Sequence, residues 1–457
     1  GAIAIAGGGS GGAALAGSGA SSRNTIAANI KAYIDGDGTS GITVDRVALN
    51  AEDHASISTE TAAVAAAASF GGTVGASLSI GASLARNVIV NQVEAAIVNA
   101  NVTAVDGQVT LNADEAANIT SNAVAASLAA GFSATVGVAI AGAGVEGTNV
   151  IGNQVKAYVS NSQIDTIGVD YKGEETVSQL QTSDRVRLSN GDVYEYTGET
   201  QNFADGDEVL LSNIDFSGSG SWTLINNAAD ITVNAQTRAE ISALIGGVAA
   251  AVSGGKAAVS GALGVSLSRN IIGLESLNDY TGLNQWLDSS QDYSNQIHAY
   301  IENSNLEAAG DITVQATQVD EVEAVSFAGS VAVAVGVGAL AIGGSGAETT
   351  NVLNSEVSAY LSDTNAQAAN NLEVAAISDS EVTEALAVGV AVTASTGVSL
   401  SIAASVVDND ITNDVRAYLT STSEKIIDAG NNITVTADAE NARLDNVGAV
   451  TASAAVG

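Results

Sequence analysis

Three residue types are missing from the 457-residue chain, which has no cysteine, no proline and no methionine. Without cysteine there is no disulfide framework, no zinc–thiolate site and no thiol nucleophile. Proline removes a hydrogen-bond donor from a sheet and is excluded from central strands, so its absence suits a chain that consists almost entirely of paired strands. Because even position 1 is not methionine, we expect a mature product or a portion of a longer chain.

Basic and aromatic residues are also scarce. The chain has 14 Lys and Arg against 50 Asp and Glu, which gives a formal net charge of −36. This charge repels nucleic acid, which needs basic patches, so we expect no nucleic-acid partner. Aromatic residues make up 4% of the chain and hydrophobic residues 46%, so the core must consist mostly of Ala, Val, Ile and Leu. That hydrophobic content excludes a disordered acidic tail.

Long apolar runs are present, but they alternate in side-chain size and are broken by glycine. A membrane helix needs about 20 consecutive apolar residues. A secretory signal needs a basic segment before its apolar stretch. Since neither pattern is found, the sequence predicts no membrane insertion.

One phrase organises the chain, clearest at Thr148 to Val159 as T-N-V-I-G-N-Q-V-K-A-Y-V. It recurs five more times, and a period of about 60 residues marks a repeat architecture. We expect its asparagine and tyrosine slots to form structural ladders along the array, with Ala96 replacing one tyrosine. The alternative for the tyrosines is a ligand-stacking platform, which needs exposed rings. The ladder residues are Asn24, Asn87, Asn149, Asn270, Asn351 and Asn409, with Tyr33, Tyr158, Tyr300, Tyr360 and Tyr418.

Each repeat also contains a segment of strict alternation. In the second copy, Val74, Leu78 and Ile80 share one parity, while Gly and Ser hold the other. A period of 2 indicates a strand with large side chains on one face and small ones on the other. Because neither face is charged, we expect both to be covered. The run Ala65 to Ala68 favours a helix by propensity, but its β-branched, Gly-rich flanks favour a strand.

Shorter elements complete the repeat. After the phrase we expect a short turn, as in residues 304–310, and then a strand of the form I-T-V. A Gly-containing bend leads back to the alternating strand, for example at Gly254-Gly255. The I-T-V strands are assigned to Gly41–Val44, Asp230–Val233, Asp311–Val314 and Asn432–Val435.

Together these parts predict an all-β fold, a repetitive β-solenoid or β-helix-like array of about six repeats of roughly 60 residues with two insertions. Residues 1–165 hold repeats 1–3, and residues 166–225 form an inserted small β module. Residues 226–457 hold repeats 3–6, with a short, partly helical insertion at 273–294. The pattern leaves open whether the coils are parallel in one helix or form packed antiparallel sheets. Neither end shows a polar capping repeat, so we expect a successor coil, covalent or in another copy.

The first insertion contains the phrase N-G-D-V-Y-E-Y-T-G, followed by S-W-T-L-I. Its Asn190-Gly191 pair is a two-residue hairpin signal. The phrase resembles the small three-stranded chitin- and cellulose-binding modules of secreted hydrolases. That resemblance implies that Tyr194, Tyr196 and Trp222 include sugar-stacking rings. The alternative is that these rings form the core of the module itself.

Acidic clusters are the candidate metal sites. Asp35-Gly36-Asp37-Gly38 resembles the start of a calcium loop, although Arg46 stands where the closing acidic residue of an EF-hand belongs. Asp408, Asp410 and Asp414 form a second cluster, and Asp205, Asp207 and Glu208 form a third. We treat Asp35, Asp37, Asp408 and Asp410 as candidate calcium ligands, the alternative being solvated turn carboxylates. No other cofactor is expected.

Catalytic motifs are missing from the sequence. Its only histidines are His54 and His298, and it has no Ser-His-Asp pairing, no H-E-x-x-H and no phosphate-binding loop. We therefore expect no enzyme. A β-helical polysaccharide-degrading enzyme that uses a carboxylate pair is the remote alternative.

The repeat phrase and the Ala/Gly/Val alternation together resemble giant bacterial surface proteins, the hemagglutinin-like and leukotoxin-type filamentous adhesins with β-solenoid stems. The resemblance covers nearly all of the chain. It implies secretion to the cell surface or the extracellular space. Our first hypothesis is a structural, fibre- or stalk-forming protein that stacks head to tail. The second is a carbohydrate-binding adhesin module that uses residues 166–225.

Overall fold

A computed structural model describes the whole chain except residues 39, 106, 167–168, 190–191, 204–207, 219, 226–228, 278–282 and 423. The described residues form a parallel β-solenoid. Each coil adds one long strand to sheet A, one long strand to sheet B and one short strand to sheet C. The predicted all-β solenoid is confirmed, and the open question of strand direction is resolved in favour of parallel coils.

The three sheets run the length of the solenoid. In stacking order, sheet A consists of Ala2–Gly8, Val47–Gly71, Val109–Ser133, Ile231–Gly254, Ile312–Val335, Leu372–Ser395 and the pair Ile433–Leu444 and Val447–Val456. Sheet B consists of Gly11–Asp35, Val74–Val98, Val136–Ser160, the split strand Ala257–Ile272 and Asn295–Glu302, Gly338–Ser362 and Val398–Thr420. Sheet C consists of Ile42–Val44, Asn101–Ala104, Gln163–Thr166, Asn305–Ala308, Asn365–Ala368 and Ile427–Ala429.

Sheet C corrects two details of the sequence prediction. The expected turn at residues 304–310 contains the strand Asn305–Ala308. Ile42–Val44 pairs with Val102–Ala104 in sheet C, so it is not equivalent to the I-T-V strands that begin sheet A. In that coil, sheet A begins at Val47, in register with Val109. The segments that begin at Ile42 and at Val47 both alternate like strands, so only their pairing partners show which sheet each belongs to.

The corner between sheets B and C is formed by one residue in the left-handed region. Gly36, Asn99, Asn161, Asn303 and Asp363 occupy this position with φ between 48° and 79°. Glycine adopts this conformation without a Cβ penalty, and Asn and Asp tolerate it better than other side chains. At this corner, each of the first five coils therefore has one of these three residue types.

Two further regions interrupt the solenoid. The first insertion forms a four-stranded sheet and two short strand pairs, whereas the binding modules that its sequence resembles have three strands. The antiparallel pairing of Arg185–Arg187 with Val193–Tyr196 matches the predicted hairpin, whose Asn190-Gly191 turn lies outside the described residues. The strands of the first insertion are Tyr171–Lys172, Thr176–Val177, Gln179–Leu180, Arg185–Arg187, Val193–Tyr196, Gln201–Asn202, Val209–Leu210 and Trp222–Leu224, with a 3₁₀ turn at Leu211–Asn213.

The second insertion lies over the outer face of sheet B. Its helical structure, within the described residues, is a single 3₁₀ turn at Leu283–Gln285, and Tyr280 lies outside those residues. Trp286 and neighbouring apolar side chains pack on Val88 and Val150 of two successive coils. The insertion therefore covers an outward apolar patch that sheet B would otherwise expose.

The half of each coil near sheet C, which we call the base half, has an ordinary core. Large aliphatic side chains such as Ile97, Val159 and Ile312 point inward and are fully buried. Burying a side chain of this size contributes about 1.5–3 kcal/mol. The outward positions between them are polar, as at Gln92 and Lys156.

The other half, which we call the tip half, has the opposite arrangement. Alanine, glycine and serine point inward, and large aliphatic side chains point outward: Ile140 is 48% exposed, Leu263 55% and Ile342 44%. The prediction that both faces are covered is therefore wrong. The tip half comprises the segments 62–85, 124–145, 244–268, 325–347 and 386–407.

The narrow interior of the tip half explains this arrangement. A Cβ added to Gly264 would lie 2.3 Å from the carbonyl oxygen of Gly329 on the facing sheet, and one on Gly75 would lie 2.3 Å from that of Phe132. Such distances leave no room for a side chain. Sheets A and B approach closely because their facing residues are small, and the large residues of each strand must then occupy the outer face.

The two faces of one strand offer a direct test of this packing. We expect Gly264→Val to lower the free energy of unfolding by about 3 kcal/mol, because the new side chain forces two backbones apart. Gly261→Val is the matched control: it lies outward on the same strand with no atom within 4 Å of its added Cβ. Denaturant titration of both variants measures the difference. Equal stabilities would contradict the narrow interior.

Candidate functional site

A column of asparagines runs through the interior, where the tip and base halves meet. Each side-chain Nδ2 donates to the Oδ1 of the next asparagine, at 2.8–2.9 Å. The four inner members are fully buried. Each of them donates a hydrogen bond through Nδ2 and accepts one through Oδ1 along the axis. This column ties six coils into one register. It consists of Asn24, Asn87, Asn149, Asn270, Asn351 and Asn409.

A buried polar layer lies next to this column on its base side. Glu115 is fully buried and accepts hydrogen bonds from Asn91 (3.3 Å), Asn153 and Thr237 (2.9 Å). Burial raises the pKa of Glu115 to about 8, and the nearby carboxyl of Asp53 adds to the rise. A carboxyl in this environment is neutral in the folded protein at neutral pH.

Asp320 is the second buried carboxyl of this layer. Its Oδ2 accepts hydrogen bonds from Ser355 Oγ (2.7 Å) and from Asn295 Nδ2 (3.2 Å), and burial raises the pKa of Asp320 to about 7. The sequence reasoning missed both acids. The alternation of side chains along each strand could have identified them. Glu115 and Asp320 stand at inward positions of strands whose other inward residues are mostly apolar.

Tyrosines form an outward column near the base. The rings of adjacent members lie 4.8–5.0 Å apart with their planes within 6° of parallel: Tyr158, Tyr300, Tyr360 and Tyr418. Tyr33 stands apart from this stack because Ala96 occupies the intervening position. Burial raises the pKa of Tyr158 and of Tyr360 to about 12. These edge-on, half-buried rings cover the solenoid wall.

The three rings proposed for sugar stacking pack on one another within the inserted module. Tyr196 lies 5.0 Å from Trp222, and Phe216 lies 4.8 Å from Trp222 and 5.2 Å from Tyr194. Tyr196 is only 3% exposed, and Tyr194 and Trp222 are partly buried. The arrangement agrees with the alternative in which these rings form the module's core. Their role in glycan binding stays a prediction.

Two arginines attach the module to the solenoid. Arg185 Nη1 donates to the backbone oxygen of Val105 at 2.6 Å, and Arg187 Nη1 donates to Glu307 Oε1 at 2.7 Å. Arg187 also lies 3.9 Å from Asp165. Because Asp165 and Glu307 belong to neighbouring strands of sheet C, the module is held against the base of the solenoid.

Replacement of Trp222 separates the two roles of the module's rings. We expect Trp222→Ala to unfold the module while the solenoid persists, because the rings that Trp222 contacts, Tyr196 and Phe216, both belong to the module. Loss of a large aromatic side chain from a core costs about 3–5 kcal/mol, which is about as much as so small a core supplies. Limited proteolysis within residues 171–224 measures the effect. A variant that keeps its protease resistance but loses binding to chitin or cellulose would instead establish the sugar-stacking role.

The four candidate calcium ligands lie at opposite ends of the solenoid. Asp35 and Asp37 belong to the first coil, where Asp37 Oδ2 accepts a hydrogen bond from the backbone N–H of Asn101 at 2.8 Å. Asp408 and Asp410 point outward from the sixth strand of sheet B. The structure therefore does not bring the two pairs together.

Other candidate metal and catalytic residues are also dispersed. Asp205 and Asp207 lie outside the described residues. Among the residues that are described, no group of three or more His, Cys, Asp or Glu side chains could hold a metal ion. His298 lies on sheet B, with its Nε2 3.8 Å from Glu356, and burial lowers the pKa of His298. His54 lies on sheet A. Calcium binding and the absence of enzymatic activity stay predictions.

The last coil exposes residues that are buried in every inner coil. Ile433 and Val435 continue the inward columns of sheet A, yet they are 47% and 43% exposed. Their counterparts one coil inward, Leu372 and Val374, are fully buried. Among the described residues, the strand Ile433–Leu444 pairs along one edge, with Leu372–Ser395. This end face therefore presents an apolar surface and an unpaired strand edge.

Comparisons with known proteins give no match: no family model fits the chain, and no curated protein or solved structure is similar to it. Within the described part of the chain, none of the helices is both long enough and apolar enough to span a membrane.

Proposed function

We propose that the chain is a structural, fibre- or stalk-forming protein whose solenoid stacks head to tail on a further coil. The observation that carries this proposal is the shared register of the stacked parallel coils, which the asparagine column continues from coil to coil. An unpaired edge is a template for another strand. A further coil placed there would extend the three sheets in the same register.

The ladders inside the solenoid support the same role. Backbone hydrogen bonds, the asparagine column and the tyrosine stack all run parallel to the axis, from coil to coil. Tension along the axis is thus shared by many bonds at each coil boundary. Strands of a sheet lie about 4.7–4.9 Å apart, so six coils advance about 29 Å along a fibre.

The extracellular or bacterial cell-surface location in this proposal rests on the resemblance of the repeat phrase to filamentous adhesins. The acidic composition supports the same role, because a net charge of −36 keeps neighbouring fibres apart and soluble.

Lysine substitutions on the end face test head-to-tail stacking. We expect the purified chain to form rods whose length grows with concentration in electron micrographs, with an axial spacing of about 4.8 Å. The double variant Ile433→Lys with Val435→Lys is expected to stay a single particle, since stacking would bury two unpaired charges. Its matched control is Thr434→Lys with Thr436→Lys, which adds the same charge at the alternate positions of the same strand.

The outcomes of this experiment are distinct. Rods from wild type and control but not from the end-face variant support the proposal. Wild-type chains that remain single particles at every concentration overturn it, as do rods that form equally from both variants.

A further inference from the structure

The tip half carries an apolar surface on both of its outer faces. On sheet B, Leu263 and Ile342 stand on adjacent coils, and on sheet A Leu244 and Val331 are exposed in the same way. A shallow apolar groove of about 570 Å³ crosses sheet B, where Gly261 and Gly344 leave notches between the larger side chains. Soluble monomers rarely expose apolar patches larger than a few hundred Å². An apolar surface of this size therefore indicates that another molecule covers it.

The internal construction of the tip half limits what that occupant can be. Small residues lie between the two sheets, and large aliphatic residues lie outside. Water-soluble domains place their large aliphatic residues inside, because burial from water drives their folding. Transmembrane helices, in contrast, pack against one another through small residues and direct large apolar residues toward the acyl chains. The tip half follows the second pattern.

Charge is confined to the margins of this surface. The five segments of the tip half contain one charged residue, Lys256, which lies in the turn at the tip. Below the apolar surface, Arg23, Arg86 and Arg269 occupy one outward level on sheet B. On sheet A, Glu240 and Glu321 mark the corresponding boundary. The apolar surface thus has a sharp polar margin.

The height of the surface matches a bilayer. Each segment of the tip half rises roughly 11 residues along sheet A and descends roughly as many along sheet B, which gives about 36 Å at 3.3 Å per residue. The hydrocarbon core of a bilayer is about 30 Å thick. Backbone N–H and C=O groups of the inner strands are paired with the coils on both sides. They therefore satisfy the requirement that lipid places on an immersed backbone.

We propose that this apolar tip half enters the acyl-chain layer of a membrane, so that the solenoid lies along the membrane with its tip edge immersed and its acidic base half in water. Lipid covers both faces at once. A second copy packed against one face would leave the other face exposed, and it would bring two strongly acidic base halves side by side.

This inference departs from the prediction of no membrane insertion drawn from the sequence. That prediction looked for a run of about 20 apolar residues in a helix. Here the aliphatic residues alternate with glycine, alanine and serine along strands, so only the orientation of alternate side chains reveals the apolar surface.

Flotation with phosphatidylcholine vesicles at high salt tests the proposal. Zwitterionic lipid and high salt remove attraction and repulsion between charges, so we expect the wild-type chain to float through apolar contact alone. The double variant Leu263→Lys with Ile342→Lys is expected to lose vesicle affinity by at least about a hundredfold, since each lysine on a lipid-facing strand opposes insertion. Circular dichroism checks that its fold is retained.

The matched control is Gln236→Lys with Thr317→Lys, which adds the same charge at outward positions of adjacent coils in the base half. This control is expected to float like the wild type. The end-face variant Ile433→Lys with Val435→Lys is expected to float as well, so that head-to-tail stacking and membrane entry succeed or fail separately.

Three results would overturn the proposal. The first is a wild-type chain that does not float. The second is a Leu263/Ile342 variant that floats as well as the wild type. In the third, sedimentation shows that wild-type chains pair laterally and that the Leu263/Ile342 variant stays single, while neither protein floats. A second copy, and not lipid, would then cover the surface.

Discussion

The variant Glu115→Gln is expected to be more stable than the wild type at alkaline pH, by on the order of 5 kcal/mol. Burial raises the pKa of Glu115 from its ordinary value near 4.5 to about 8 in the folded chain. Between these values the folded protein holds a proton that the unfolded chain releases. The wild type therefore loses stability as pH rises through this window, and glutamine removes that loss. The side chain of Asn153 already contacts this carboxyl through its Nδ2, and its Oδ1 has no hydrogen-bond partner.

The measurement compares denaturant midpoints of both proteins at about pH 5 and about pH 9. At the lower pH the folded-state carboxyl is neutral, so the two proteins should differ by less than about 1 kcal/mol. Glu240→Gln, an outward and exposed position on a neighbouring strand, controls for the removal of one negative charge. Equal stability of wild type and Glu115→Gln at the higher pH would show that Glu115 is ionised without penalty.

The second large effect concerns the asparagine column. Asn149→Asp is expected to lower the free energy of unfolding by about 3–5 kcal/mol. Asn149 is fully buried, accepts a hydrogen bond from Asn87 at 2.8 Å and donates one to Asn270 at 2.8 Å. Aspartate keeps the acceptor but loses the donor, so a carboxylate oxygen would face the carbonyl oxygen of Asn270. The column would be broken between two coils, with a charge left inside.

The same chemical change at Asn29 provides the control. Asn29 lies outward and exposed in the first copy of the repeat phrase and donates a hydrogen bond to Gln92 at 3.3 Å. Its replacement by aspartate should alter stability by less than about 0.5 kcal/mol. Hydrogen exchange resolved by coil adds a local readout, because protection should fall first in the strands beside Asn149. If Asn149→Asp lowers stability no more than the Asn29 variant does, the asparagine column does not fix the register of the coils.

The rod and the apolar tip half are compatible in one molecule. Stacking acts through the two ends of the solenoid, whereas the tip half runs along its side. A stack of coils would therefore carry one continuous apolar edge and one continuous acidic edge along its whole length. Such a fibre would be held on a membrane at every coil.

Sequence periodicity alone determined the class of fold and much of the register. The six asparagines lie in one hydrogen-bonded column, and four of the predicted tyrosines stack at successive coils, because a fixed repeat length returns each residue to the same place. Alternation with a period of 2 identified the strands, including the run Ala65 to Ala68. These features depend on local pattern, and the sequence carries local pattern directly.

Only the tertiary structure decided which face of each strand points inward. A period of 2 separates Ile80 from Gly81 but does not say which of them faces the other sheet. The small residues face inward in the tip half because two sheets that meet through Gly and Ala approach too closely for anything larger, as the surroundings of Gly264 show. The same pairing of distant strands places Glu115 between Asn91 and Thr237 and sets its pKa. Contacts between sheets join residues far apart in the chain, and no local pattern encodes them.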